Sequence, residues 1–157
     1  MRLIKAVAAL LTTQIYAVRG DSMQPTIEHG QYLLVSRMAY VDSAPARGDV
    51  IVLRDPCNGR RRVLKRVVGL PGEEVRIRDG LLFVEGVHLD ESYLANLPTS
   101  IGLEDNFWEL GTSQYFVAGD YRIRSTDSRD YGPISEKLII GRVWYRYWPI
   151  DKRGHVR

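Results

Sequence analysis

The chain has 157 residues, 45% of them hydrophobic and 26% charged, and a formal net charge of +3. That is about one domain's length with the composition of an ordinary folded domain, which excludes a disordered or low-complexity chain. Mild basicity permits contact with anionic lipid or nucleic acid but requires neither. The one cysteine, Cys57, excludes an internal disulfide and any multi-cysteine metal site. It lies in the turn-like stretch DPCNG and reads as incidental. Of the 22 basic residues, only Lys5, Lys65, Lys137 and Lys152 are lysines. Arginine does not release its proton in a protein, whereas a desolvated lysine does, so the place of each lysine matters.

In chain order, Arg2 and Lys5 come first, followed by a mostly apolar run from Ala6 to Val18. The run is short for a membrane span, which needs ~20 residues, and Thr12, Thr13 and Gln14 weaken it. Three readings fit. One is a short or tilted membrane anchor with its basic end in the cytoplasm. The others are a cleaved signal segment and an amphipathic helix packed on the domain. After Gly30 the pattern changes to strands: QYLLVSR (31–37), DVIVLR (49–54), RRVLKRVV (61–68), EVRIR (74–78), LLFVEG (81–86), QYFVAGD (114–120) and LIIGRVWYRYWPI (138–150). Each is rich in β-branched or aromatic residues and bounded by turns. Asp79-Gly80 is a hairpin signal. Residues 90–113 have no clear period and read as an irregular insertion. The expectation is a helix over residues 1–18 and a single, mainly β domain over 19–157.

Ser22 stands in RGDSMQPTIEHG, just after the apolar run. A serine hydroxyl is a poor nucleophile without a base beside it. His29, His88 and His155 all fall in turns, a hairpin or the polar tail, and no acid is set up to orient them. Lys65 is the stronger candidate. Alternation along RVLKRVV puts Val63, Lys65 and Val67 on one strand face and Leu64, Arg66 and Val68 on the other. If the first face points inward, the ammonium loses its water and its pKa falls. If the strand is an edge, Lys65 snorkels to solvent.

Several stretches, in order over residues 18–150, resemble the conserved boxes of the type I signal peptidases, the Ser-Lys membrane proteases. GDSMQPT (20–26) resembles their nucleophile box. VLKRVVGLPGE (63–73) resembles the lysine box, RGDVIVLR (47–54) the strand before it, GDYRIRSTDSRDYG (119–132) the third box and GRVWYRYWPI (141–150) the closing strand. The resemblance implies a β fold of coiled antiparallel sheets with a short N-terminal anchor helix. It implies Ser22 as nucleophile, Lys65 as general base and Ser125 as the hydroxyl that aims the lysine. Asp127 and Arg129 would be a supporting pair, and Met23, Ile27, Val63 and Leu64 would line pockets for small substrate residues. The Ser22 N–H would serve the oxyanion hole, and Gly20 offers no side chain for a second donor. Tyr121 departs from the family's usual asparagine, and Arg62 from the acid some members carry.

The implied activity is removal of signal peptides from exported preproteins, at the outer side of a bacterial plasma membrane or at an organelle inner membrane. The implied partners are preprotein signal peptides and membrane lipid, with no nucleic acid, metal or cofactor. Two related Ser-Lys proteases are the alternatives within the superfamily: a pilin-maturation peptidase and a self-cleaving repressor. A non-enzymatic binder of nucleic acid or lipid, built on GRRRVLKR (59–66), is the alternative outside it.

Overall fold

A computed structural model describes residues 12–94 and 105–156. The strands are β1 (Thr13–Ala17), β2 (Tyr32–Ser36), β3 (Val50–Arg54), β4 (Arg62–Gly69), β5 (Glu74–Arg78), β6 (Leu81–Val84), β7 (Val87–His88), β8 (Asn106–Glu109), β9 (Gln114–Ala118), β10 (Ile134–Ser135), β11 (Ile139–Trp148) and β12 (Gly154–His155). Among the described residues a short helix, α1 (Ser128–Tyr131), lies between β9 and β10. The larger sheet runs β1-β2-β11-β3-β4-β9-β10 with β12 on β11, and the smaller runs β7-β6-β5-β8. Neighbouring strands pair antiparallel throughout, so the mainly β expectation holds.

The large sheet is covered on both faces. Val50 and Val52 of β3 join one apolar cluster with Met23, Ile27, Leu33 and Leu64. Ile51 and Leu53, the alternate residues, join another with Val67, Tyr115 and Val117. A third cluster, including Val68, Phe116, Val75 and Leu82, joins β4 and β9 to the small sheet. Full burial of each such side chain contributes about 1.5–3 kcal/mol. The central strands are therefore near-continuous apolar runs. The Asp79-Gly80 hairpin forms as its sequence predicts, with φ of 51° and 74° at the two turn residues.

Two expectations are corrected. The helix over 1–18 does not extend to its stated end, because Thr13–Ala17 is a strand paired with β2, Thr13 opposite Ser36 and Ala17 opposite Tyr32. β-Branched and aromatic side chains at Thr13, Ile15 and Tyr16 suit that pairing. Residues 1–11 of the expected helix lie outside the described residues. The segment 90–113 is also not wholly irregular: it contributes a 3-10 turn at Ser92–Leu94 and the strand β8, which pairs with β5. Two stretches of the large sheet have no further strand beside them among the described residues. β1 ends the sheet on one side, and β4 pairs with β9 only from Arg66 onward, leaving residues 62–65 unpaired on that flank.

Candidate active site

Ser22 follows β1 in a tight loop. Gly20 adopts a φ of 95°, a conformation glycine takes without strain, and its N–H donates to His29 Nδ1 at 3.1 Å. His29 thus braces the turn, His88 packs its ring on Phe83, and His155 lies against the Trp144 carbonyl. Met23 and Ile27, 2% and 0% exposed, anchor the loop in the core. The Tyr121 N–H donates to the Ser22 carbonyl at 2.9 Å, joining the loop to the segment after β9.

Lys65 reaches the same place from β4. Val63 and Val67 pack with one apolar cluster and Leu64 with the opposite one, so strand alternation delivers Lys65 to the side of Val63 and Val67. The residue is 4% exposed. Its Nζ forms a hydrogen bond of 3.3 Å with Ser22 Oγ. Burial lowers its pKa below the usual lysine value, and Asp127 and Asp55 offset only part of that effect.

Asp127 organises the surroundings. Its Oδ2 accepts from Gly119 N–H at 2.9 Å and from the Ser125 hydroxyl at 2.7 Å. Its Oδ1 accepts from Arg129 Nε at 2.8 Å. It also caps α1, with Asp130 accepting from the Asp127 N–H in return. Burial alone would raise its pKa. The Arg129 guanidinium and the donated hydrogen bonds outweigh burial and hold the carboxyl below its ordinary value. Ser125 therefore donates to Asp127, while Lys65 bonds to Ser22.

Gly119, which sequence reading passed over, sits where the two segments touch. A Cβ there would lie 2.3 Å from Ser125 Oγ and 2.5 Å from the Ser22 carbonyl oxygen. Three buried charged residues were missed as well. Arg66 is held by Asp120 through Nε and Nη2 at 2.9 and 2.7 Å, and Arg122 pairs with Glu91. These partners are far apart in sequence, so no local pattern announces them.

Ser22 and Lys65 open onto a cleft of about 810 Å³, lined also by Met23, Val63 and Leu64. Ile27 is fully buried and is not on its wall. The cleft lies between Ile15–Met23 on one side and Arg61–Lys65 on the other, so β1 and the start of β4 flank it. A hydroxyl bonded to a buried amine, beside a groove flanked by two strands, is an arrangement that can cut a peptide bound in extended form.

Known proteins resemble this chain in sequence and in fold. The family model described as signal peptidase, peptidase S26, matches residues 1–148. Signal peptidase I of Bacillus caldolyticus is 34% identical over 160 residues, covering 95% of this chain and 87% of the relative. Signal peptidase I V of Bacillus subtilis is 37% identical over 142 residues, covering 82% of each. The crystal structure of a signal peptidase I from Enterococcus faecalis aligns with a TM-score of 0.55 and 36% identity, over 64% of this chain and 97% of that one. The chain belongs to the signal peptidase family, peptidase S26, and is a peptidase.

Proposed function

We propose that this chain removes N-terminal signal peptides from exported preproteins, cutting after small residues with Ser22 as nucleophile and Lys65 as general base. The observation that carries the reading is the 3.3 Å bond between a buried lysine amine and the Ser22 hydroxyl. The names of its relatives support the substrate class.

In this mechanism neutral Lys65 takes the proton of Ser22 as Oγ attacks the scissile carbonyl. The lysine then protonates the departing amine, which becomes the N-terminus of the mature protein, and an acyl ester remains on Ser22. Neutral again, Lys65 takes a proton from water, the hydroxide attacks the ester, and the signal peptide leaves with a carboxylate as Ser22 regains its proton. The Ser22 N–H would stabilise each oxyanion. Asp127 and Arg129 would hold Ser125 and Gly119 against the serine loop, and Ser125 would aim the amine. The substrate would lie as a strand between β1 and β4, its small side chains facing Met23, Val63 and Leu64.

Membrane contact has its own support. Among the described residues no helix is long and apolar enough to cross a bilayer. The corner of the large sheet, however, exposes Ile15, Tyr32 and Trp148, 64%, 39% and 48% accessible, with Ile150 just beyond β11. Tyr32 lies directly opposite Trp148 and Ala17, so the apolar residues continue across β1, β2 and β11. We assign this corner to the lipid surface, with one catalytic domain on the outer side of a bacterial plasma membrane.

The test is cleavage of a preprotein bearing Ala-x-Ala before its cut site. Wild type should release the mature protein after the second alanine. Ser22→Ala and Lys65→Ala should each lose at least a hundredfold in kcat/KM. Full cleavage by either variant, or none by wild type, overturns the proposal.

A further inference from the structure

One end of the cleft gathers arginines that have no carboxylate partner among the described residues. Arg61 and Arg62 lead into β4, and Arg19 follows β1. Arg54 stands directly opposite Arg62 in the β3–β4 ladder. All four are exposed. Like charges directly opposite on a ladder repel, so an anion placed between these two positions would be favourable.

The arginines also converge. The Tyr16 hydroxyl donates to the Arg62 carbonyl at 3.0 Å, closing that end of the cleft between the two strands. Burial raises the Tyr16 hydroxyl above its usual pKa, and the Arg62, Arg61 and Arg19 guanidinium groups all act against that rise. Three cations thus line the same cleft as this hydroxyl. The carboxylates on the cleft wall, Asp21 and Asp55, accept instead from Gln24 Nε2 at 3.0 Å and the Cys57 N–H at 2.9 Å.

Location selects the anion. Tyr16 alternates with Ile15 on β1, and Ile15 belongs to the apolar corner with Tyr32 and Trp148. Apolar side chains on one face of a strand and unpaired arginines at the other match a bilayer, where phosphates overlie hydrocarbon. A peptide carboxylate would meet the charge but not the adjoining apolar face. We infer that Arg19, Arg54, Arg61 and Arg62 form a collar for the phosphates of anionic lipid headgroups and hold the closed end of the cleft at the bilayer surface. This rests on the membrane site of action proposed above.

The experiment measures partition of the full chain onto phosphatidylcholine vesicles with and without phosphatidylglycerol. Each arginine near an anionic surface changes partition about fivefold, so Arg19→Gln/Arg61→Gln/Arg62→Gln should bind the anionic vesicles about a hundredfold less. Its affinity for neutral vesicles should stay unchanged. Lysines at the same three positions should restore most of the binding. Arg76→Gln/Arg78→Gln on the small sheet should behave like wild type. Inorganic phosphate should displace the protein no better than chloride at equal ionic strength.

Four results overturn the collar. In the first, the cleft and small-sheet variants lose binding equally. In the second, neither variant loses any. In the third, inorganic phosphate saturates the arginines while vesicles do not. In the fourth, the triple variant is impaired only on preproteins with acidic residues before the cut. Any of these with preprotein cleavage intact sinks the collar alone, whereas a wild type that cleaves nothing sinks the proposed function itself.

Discussion

Lys65 and Arg66 are neighbours on one strand, 4% and 1% exposed, and they meet burial in opposite ways. Arg66 has a full set of ligands. Asp120 takes two of its donors, the Gly48 carbonyl takes a third at 2.8 Å, and the Tyr93 ring lies 4.1 Å from its Cζ. Lys65 meets a serine hydroxyl and, among the described residues, no carboxylate within ion-pair distance. A buried cation that is fully ligated stays charged and joins parts of the fold together. One that is not ligated is driven toward its neutral form, which is the form that accepts a proton. A single strand thus carries a fixed charge on one face and a titratable one on the other.

The largest expected effect falls on the reactive side. Lys65→Arg keeps the cation and removes the base, so preprotein cleavage should fall by about 10²–10⁴-fold in a kcat/KM assay. In wild type, activity should rise with pH along a limb centred below 10.5, the ordinary lysine value. A limb at or above that value would contradict a desolvated base. Next comes the fixed side. Asp120→Ala leaves Arg66 buried without its counter-ion and should destabilise the fold by about 3–5 kcal/mol in chemical unfolding. A loss under 1 kcal/mol would place Arg66 in water.

Gly119→Ala tests whether the two segments must touch. Its Cβ would collide with Ser125 Oγ and the Ser22 carbonyl. We expect about a hundredfold lower kcat, the scale of an ångström-sized misplacement, with an unchanged unfolding midpoint counting against strain at that contact.

The smallest effect sharpens the comparison most. Lys65→Met should unfold within about 1.5 kcal/mol of wild type, because it replaces an unpaired buried cation by an apolar chain of similar length. The folded Lys65 has the lower pKa, so the unfolded chain binds more protons between that pKa and 10.5. Wild-type stability therefore gains from Lys65 as pH rises through this window, and below it the folded state carries the cost of a charged amine. The methionine variant should compare best with wild type at low pH and lose that advantage as pH approaches 10.5. A difference independent of pH would mean that Lys65 titrates normally.

Much of the frame is legible in the residues. β3 and β4 announce themselves by their apolar runs, the 79–80 turn by Asp-Gly, and the facing of Lys65 by simple alternation. Other parts are not. Thr13–Ala17 hides at the end of an apolar run whose hydrophobicity suggests a helix, and its strand character depends on β2, whose partner residues lie some twenty positions later. Arg66 and Asp120 stand 54 residues apart and Arg122 and Glu91 stand 31 apart, and each pair becomes visible only when the fold brings its two segments together. Ile27 shows the limit of residue type as a guide. An apolar side chain beside the nucleophile suits either a pocket wall or a core, and only its complete burial separates the two.

The link between Tyr121 and Ser22 is made by a backbone amide and a backbone carbonyl. Asparagine, tyrosine or nearly any other residue can supply that amide, and proline alone lacks it. Drift at position 121 among related chains is therefore poor grounds for judging one of them inactive, whereas a proline there would remove this tie to the serine loop without altering a single reacting group.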